Sequence, residues 1–454
     1  MNQDFLIDAF WKLSNKDFRN YLEHADVEKF PFARYIIHAH TDLGSPKDSV
    51  LTIDKYVKAA VRMGAKAISV TDHGTMYAVQ PLYKACKKHG IKLLVGCEFY
   101  VCESVEDMNR KKHTRLHLCG YAKDEAGYRA LTRMVTASNE RILVIKTYDG
   151  DLSYPCISKK ILEKYVGPGS DGHGHVILTS ACVGGVLSGM SFANNGLKTD
   201  IEIIKERIGK GKDVMASINR ILSTQKELEE KRTAFEEMLH SADCDETRKE
   251  WLEQQISTIK NLSKQVKPEL RKKEKQMCDL TKRKGCTLEL LAQDIKALEK
   301  ECTVLEAGLI PEDKMVSFFE SEALWYDKLA GHGNWFVELQ YHGIPVELKY
   351  MQHMAQIAEQ LDIPVVAAND AHMELRSDLE LRKLINSLRF NKYEEAQEGD
   401  SELYLKSDIE LFRMLSKAVT PDYLKPCLEG SSWQNNAALS LKRCQITLNI
   451  FPNP

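Results

Sequence analysis

Lys66-Ala67-Ile68-Ser69-Val70-Thr71-Asp72-His73-Gly74 decides the reading of this chain: a short, mostly apolar run that stops at an ionisable pair and a glycine. Such a run, bounded by polar and turn residues, is the pattern of a buried β-strand. The same order recurs on both sides of it. Arg34 to Ile37 precedes His38 and His40, Lys92 to Val101 contains Glu98, and Ile363 to Ala368 precedes Asp370 and His372. Leu116 to Ala122, Val176 to Thr179 and Trp335 to Leu339 add three further runs, with amphipathic helix candidates at Thr52 to Met63, Met76 to His89, Glu125 to Ser138 and Val346 to Leu361. Repeated strand and helix units predict an α/β barrel or a parallel sheet. In those architectures the carboxyl ends of the strands converge on one face, so distant residues share a site there.

His38 and His40 are two apart, and alternate side chains of an extended segment share a face, so both imidazoles reach one ligand. A lone His-x-His is weak evidence. Asp370 and His372 repeat the spacing with a carboxylate first, and mixed imidazole and carboxylate shells suit Zn, Mn or Fe.

The chain has 454 residues, 43% of them apolar, and a net charge of −2, so no global basic field advertises a nucleic-acid partner. The start lacks a secretory h-region and no apolar run reaches spanning length, which predicts a cytoplasmic protein without a membrane partner. Twelve cysteines without metal-ribbon or redox spacing are expected to be free thiols.

Strand and helix alternation stops near Gly209 and resumes near Asp313. Between them Val214, Ile218, Ile221, Leu228, Phe235 and Leu239 follow heptad spacing, and Leu252, Ile256, Ile259, Val266, Leu270, Met277 and Leu280 restart it after a polar break. Leu288, Leu291, Ile295, Leu298 and Leu305 carry it on. This predicts an inserted antiparallel α-helical coiled coil over 209–312, with Pro268 and Gly285 as points where the second arm kinks or splits. An ordinary amphipathic helical subdomain is the plainer alternative. The insertion would separate a first part, 1–208, from a last part, 313–390, and a helical extension, 391–454.

Ile37-His38-Ala39-His40-Thr41, Ile68 to Gly74 and Val95-Gly96-Cys97-Glu98 resemble the polymerase and histidinol phosphatase (PHP) domain, more specifically the one at the start of the bacterial DNA polymerase III alpha subunit. His117 to Lys123, Thr179-Ser180-Ala181-Cys182 and Ala368-Asn369-Asp370-Ala371-His372 are similar to later motifs of the same family, in the same order. The resemblance runs from Arg34 to about Phe390 outside the insertion and continues weakly to Ala438–Cys444. It implies a distorted seven-stranded (β/α) barrel with two or three divalent ions at the strand ends.

Carried over by motif, a first ion would use His38, His40, Glu98 and Asp370, with Glu98 bridging to a second held by His117 and Cys182. A third would use His73, His372 and, as the best candidate after the first motif, Asp48. The catalytic group implied is hydroxide drawn from water at ions held by Glu98, Asp370, His38 and His40. Asp72 reads as a partner orienting a ligand or as a helix cap. His117 has a core-histidine alternative and Cys182 a buried-thiol one. His113 reads as a solvated loop residue; His173, His175, His332 and His342 are set aside. Glu338 reads as structural, and Lys84, Lys87, Lys88 and Lys92 as solvated helix surface. No substrate-binding residue is identified.

The resemblance implies phosphate ester hydrolysis, with a 3′–5′ exonuclease acting on DNA ahead of a phosphatase of small monoesters. The other alternative is a non-catalytic module of a polymerase or a defence complex, and the coiled coil implies a protein partner or self-association. No counterpart of the polymerase palm is found, and Pro421-Asp422-Tyr423-Leu424 lacks a second carboxylate, so no polymerase activity is expected in this chain.

Overall fold

The strand β2 (Ala67–Val70) is buried along its whole length, because both faces of its sheet are covered, and this explains why it reads as a continuous apolar run. The computed structural model that places it describes residues 13–26, 29, 32–33, 35–102, 115–140, 142–147, 150–241, 245–283, 285–390 and 399–428. His113 and Ala438–Cys444 lie outside the described residues. The chain divides into two units, one of residues up to Ala193 and from Pro311 onward, the other Asn194–Ile310.

In the first unit, β1 (Tyr35–Ile36), β2, β3 (Lys92–Cys102), β4 (Leu116–Ala122), β7 (Val176–Thr179), β8 (Trp335–Leu339) and β9 (Val365–Ala367) are neighbours in that order. A hairpin of β5 (Ile142–Thr147) and β6 (Gly150–Ser158) joins the path through β6 and β3. The sheet is mixed: β4 runs antiparallel to both β3 and β7. Of the two arrangements expected, an α/β barrel or a parallel sheet, the second is corrected there, since antiparallel neighbours need no crossover helix and Glu103 to Arg115 carries no helical apolar pattern. Sequence reading also passed over the β5–β6 hairpin, although Asp149-Gly150 is a hairpin-turn signal. The two ends of the seven-strand path meet at a bridge between Ala39 and Ala371.

Helices start where a side chain satisfies free backbone donors. Thr52 accepts from the Lys55 N–H ahead of α2 (Ile53–Arg62), and Asp124 accepts from the Gly127 N–H ahead of α4 (Glu125–Asn139); α1 (Asn15–His24) and α3 (Val79–His89) complete this half. The core gathers Phe99, Leu118, Leu131, Met134, Trp335 and Met354, and Phe412, Leu415 and Leu424 belong to the same cluster. Residues 408–424 are therefore part of this unit's core rather than an appendage to it.

The helix Gly189–Leu239 runs unbroken through Gly209, and the second unit begins within it at Asn194, before strand and helix alternation fades from the sequence. Glu246–Thr281 and Leu288–Ala307 follow. Pro268 stays inside the second helix, while Gly285, at φ 73°, lies in the break before the third. Val214, Ile218, Met277, Leu291 and Ile295 share one apolar cluster, and Asn194 exchanges hydrogen bonds with Ile310, side-chain amide to carbonyl at 3.1 Å and backbone N–H to amide oxygen at 2.9 Å. Among the described residues no helix is long and apolar enough to cross a membrane.

Leu118 is fully buried beside the strand that carries Glu98. Leu118→Ala should cost about 2–5 kcal/mol of stability, read as a lowered urea midpoint.

Candidate metal centre

Two backbone hydrogen bonds fix the first and last motifs together: His40 N–H donates to Ala371 O at 2.9 Å, and Ala371 N–H donates to His38 O at 3.1 Å. The two alanines are buried, and His38 and His40 flank one as Asp370 and His372 flank the other. His38 and Asp370 hold positive φ angles of 62° and 52°, and Ala181, next to Cys182, holds 58°. Non-glycine residues rarely adopt this conformation, and such strain concentrates at functional sites.

Glu98 stands at the centre, 1% exposed. Its Oε1 lies 3.0 Å from His117 Nδ1 and 3.3 Å from His38 Nε2; its Oε2 lies 2.6 Å from His73 Nδ1 and 3.7 Å from His40 Nε2. Asp370 Oδ1 is 2.9 Å from His40 Nε2 and 3.1 Å from His38 Nε2. Cys182 Sγ sits 3.3 Å from His117 Nδ1, and Asp48 Oδ2 sits 3.1 Å from His73 Nε2. The His40 ring stacks between those of His73 and His372, at 4.2 and 4.4 Å. All nine residues proposed as ligands from the sequence thus lie in one contiguous cluster.

The donor set fits divalent ions. Both Glu98 oxygens, Asp370 Oδ1, His40 Nε2 and His73 Nδ1 are buried with no hydrogen-bond partner, although each lies near the others. Buried polar atoms are normally paired, so several orphans converging on one place point to a cation that meets their lone pairs. Donor atoms of His40, His73 and His372, of His38, His40 and Asp370, and of Glu98, His117 and Cys182 each fall within 4.8 Å of one another.

Electrostatics agree. Burial by itself would raise the carboxyl of Glu98, but His117 and His73 hold it well below the usual carboxylate range; His38 and His372 do the same for Asp370. Asp48, half-buried, is held low by His73. Burial, with the charges of Asp370 and Glu98, pushes the Cys182 thiol well up, so a thiolate there needs added positive charge.

Around the cluster sit residues that aim it. Glu338 Oε1 accepts from His38 Nδ1 at 2.7 Å, leaving Nε2 with a lone pair toward Glu98 and Asp370, while Thr179 Oγ1 donates to Glu338 Oε2 at 2.5 Å. Glu338 therefore does more than the structural part the sequence suggested. A single carboxylate in a strand otherwise buried and apolar was the available signal. Cys119, 3.6 Å from both His38 nitrogens, had no such signal. Asp72 accepts from Thr41 N–H at 2.7 Å, Thr41 Oγ1 at 2.8 Å and Ser45 Oγ at 2.9 Å, which places it as the anchor of the loop after the first motif. His175 pairs with Asp124, His332 with Asp327 and His342 with Glu347, and His173 meets backbone carbonyls; Lys84, Lys87 and Lys88 are exposed.

The sequence model of the PHP domain matches residues 37–227. The chain carries a PHP domain. The matched span holds seven of the clustered side chains, from His38 to Cys182, while Asp370 and His372 come from beyond it. Among curated relatives, the DNA polymerase III subunit alpha of Campylobacter jejuni is 34% identical over 152 residues, 34% of this chain and 11% of that protein. That of Chlamydia muridarum is 29% identical over 204 residues, 44% of this chain and 15% of that protein. The PHP-bearing chain thus spans a small part of the length of these relatives. An amidohydrolase structure from Chromobacterium violaceum is 12% identical, with a TM-score of 0.28 over 75% of this chain and 88% of that one.

A Cβ on Gly44 would fall 2.2 Å from Asp72 Oδ2, so Gly44→Ala must displace the anchored loop. The variant should keep its far-UV circular dichroism and bind divalent metal roughly 10- to 100-fold more weakly, as measured by competition with a chromophoric chelator.

Proposed function

We propose that this chain is a metal-dependent phosphoesterase that removes nucleotides from the 3′ end of DNA. The observation that carries the reading is Glu98, a fully buried carboxylate whose two oxygens lack hydrogen bonds and face imidazoles on both sides. The PHP match and relatives named as DNA polymerase III alpha subunits support the reaction class and the nucleic-acid substrate.

In this reading His38, His40, Glu98 and Asp370 hold one divalent ion, His117 and Cys182 hold a second with Glu98 between them, and Asp48, His73 and His372 hold a third. Zn, Mn and Fe suit such mixed donors. Bound, the ions supply Lewis acidity, polarising phosphate oxygens and bringing the pKa of water near neutrality. The chain's own residues set the conditions for that chemistry. Glu338 fixes the His38 tautomer, and Asp72 holds the Thr41–Ser45 turn. No side-chain nucleophile is required.

His38→Ala combined with His40→Ala should lower hydrolysis by at least ~10²-fold, and removal of metal by chelator should do the same, with activity restored by Mn or Zn. The assay compares single-stranded DNA, a mismatched primer end and a small phosphate monoester. Preference for the monoester would replace the exonuclease reading by a phosphatase. Undiminished activity in the double variant would end both.

The helical unit serves, in the same proposal, as an association element built as a coiled coil. Ile203, Leu222, Met238, Trp251, Leu262 and Val304 leave apolar side chains exposed on it. Since Asn194 and Ile310 hold its two ends together, replacing residues 195–309 by a short Gly/Ser linker should cost little closure entropy. Metal content and monoester hydrolysis should persist, whereas oligomeric mass by light scattering or degradation of long DNA should change. Identical behaviour in both assays would exclude the association role.

A further inference from the structure

One cation near the clustered donors has no counter-charge among the described residues. Arg115 stands at the start of β4, two residues before His117, and alternate residues of an extended segment face the same way. Its guanidinium lies 3.7 Å from the centroid of the Tyr154 ring. Tyr154 meets Tyr100 edge-on at 5.3 Å, and Tyr100 lies 5.2 Å from the His117 ring and 5.6 Å from that of His73. A file of rings therefore runs from Arg115 to two of the imidazoles around Glu98.

Among the described residues no carboxylate pairs with Arg115, and its Nε is buried without an acceptor. A partly buried guanidinium with unmet donors is unfavourable unless something else fills them. Stacking on Tyr154 holds the guanidinium by its face, and the planar fork at its edge matches two oxygens of a phosphate.

We propose that Arg115 binds the phosphate group of the substrate beside the metal-ligand cluster. This rests on the phosphoesterase reading above and adds the protein's own phosphate contact to it. Arg115 touches none of the nine clustered donors in this arrangement, so its loss acts on the anion and leaves the ions in place.

The test titrates inorganic phosphate into the full chain loaded with Mn, by calorimetry, alongside metal content measured by mass spectrometry. Arg115→Met should weaken phosphate binding roughly 10- to 100-fold with metal content unchanged, and Arg115→Lys, which keeps the charge but not the fork, should fall between. In steady-state hydrolysis the loss should appear in KM more than in kcat. Equal phosphate affinity in Arg115→Met would overturn the assignment while leaving the phosphoesterase reading standing. Loss of metal together with phosphate in that variant would make Arg115 structural and overturn it as well. A wild-type chain that binds no phosphate and hydrolyses no ester would remove both readings.

Discussion

The pair of backbone hydrogen bonds between His38–His40 and Ala371 is the constraint on which the rest of the structure depends. It joins segments from opposite ends of the chain, and Thr71 ties in the neighbouring strand end by donating its N–H to Ala39 O at 2.9 Å and accepting from Ala39 N–H at 3.0 Å. Pairing at Ala39 and Ala371, with His38 and Asp370 both in the left-handed backbone region, turns two histidines, an aspartate and a third histidine toward one place. Small, buried side chains at the pairing positions let the strands approach. Every other donor is placed relative to this seam.

What the seam assembles is expensive by itself. Glu98 and Asp370 are ionised groups taken out of water, and buried charges require partners of opposite sign. Imidazoles supply part of that compensation: burial by itself would strip the protons from His38 and His73, but Cys119, Asp370 and Glu338 around the first and Tyr100, Asp48 and Glu98 around the second make both hold their protons more firmly than a free histidine. His372, buried and beside His40, is driven the other way, down to about 3, and so presents a neutral ring. The unpaired buried atoms of Glu98, Asp370, His40 and His73 converge on one place, and such a donor set suits a cation.

Much of this was legible in the sequence because strand ends, ligand types and short spacings are local. His38 and His40, Asp370 and His372, and Glu98 in its strand are each readable within five residues. The direction of β4 was not, since it depends on which strand Leu116–Ala122 pairs with and not on its own pattern. Glu338 was read as structural, because its partner His38 lies at the other end of the chain. Arg115 carried no signal at all: its meaning comes from its place on the Tyr154 ring and from an Nε without an acceptor among the described residues. The start of the helical insertion was hidden because Gly189–Leu239 continues one helix through the change in composition.

The last motif is held from behind by the segment that follows it. His372 N–H donates to Leu403 O at 2.8 Å, Leu405 N–H donates to Met373 O at 3.0 Å, and the amide of Asn369 donates to Glu402 O and Tyr404 O while accepting from the buried Lys406 ammonium. For anyone cutting this catalytic module out to graft it elsewhere, the usable boundary is thus set by a brace and not by the final ligand. A cut between residues 390 and 399 keeps all nine donors and strips the strut that aims two of them, so the portable unit extends through the helices that end at Leu428.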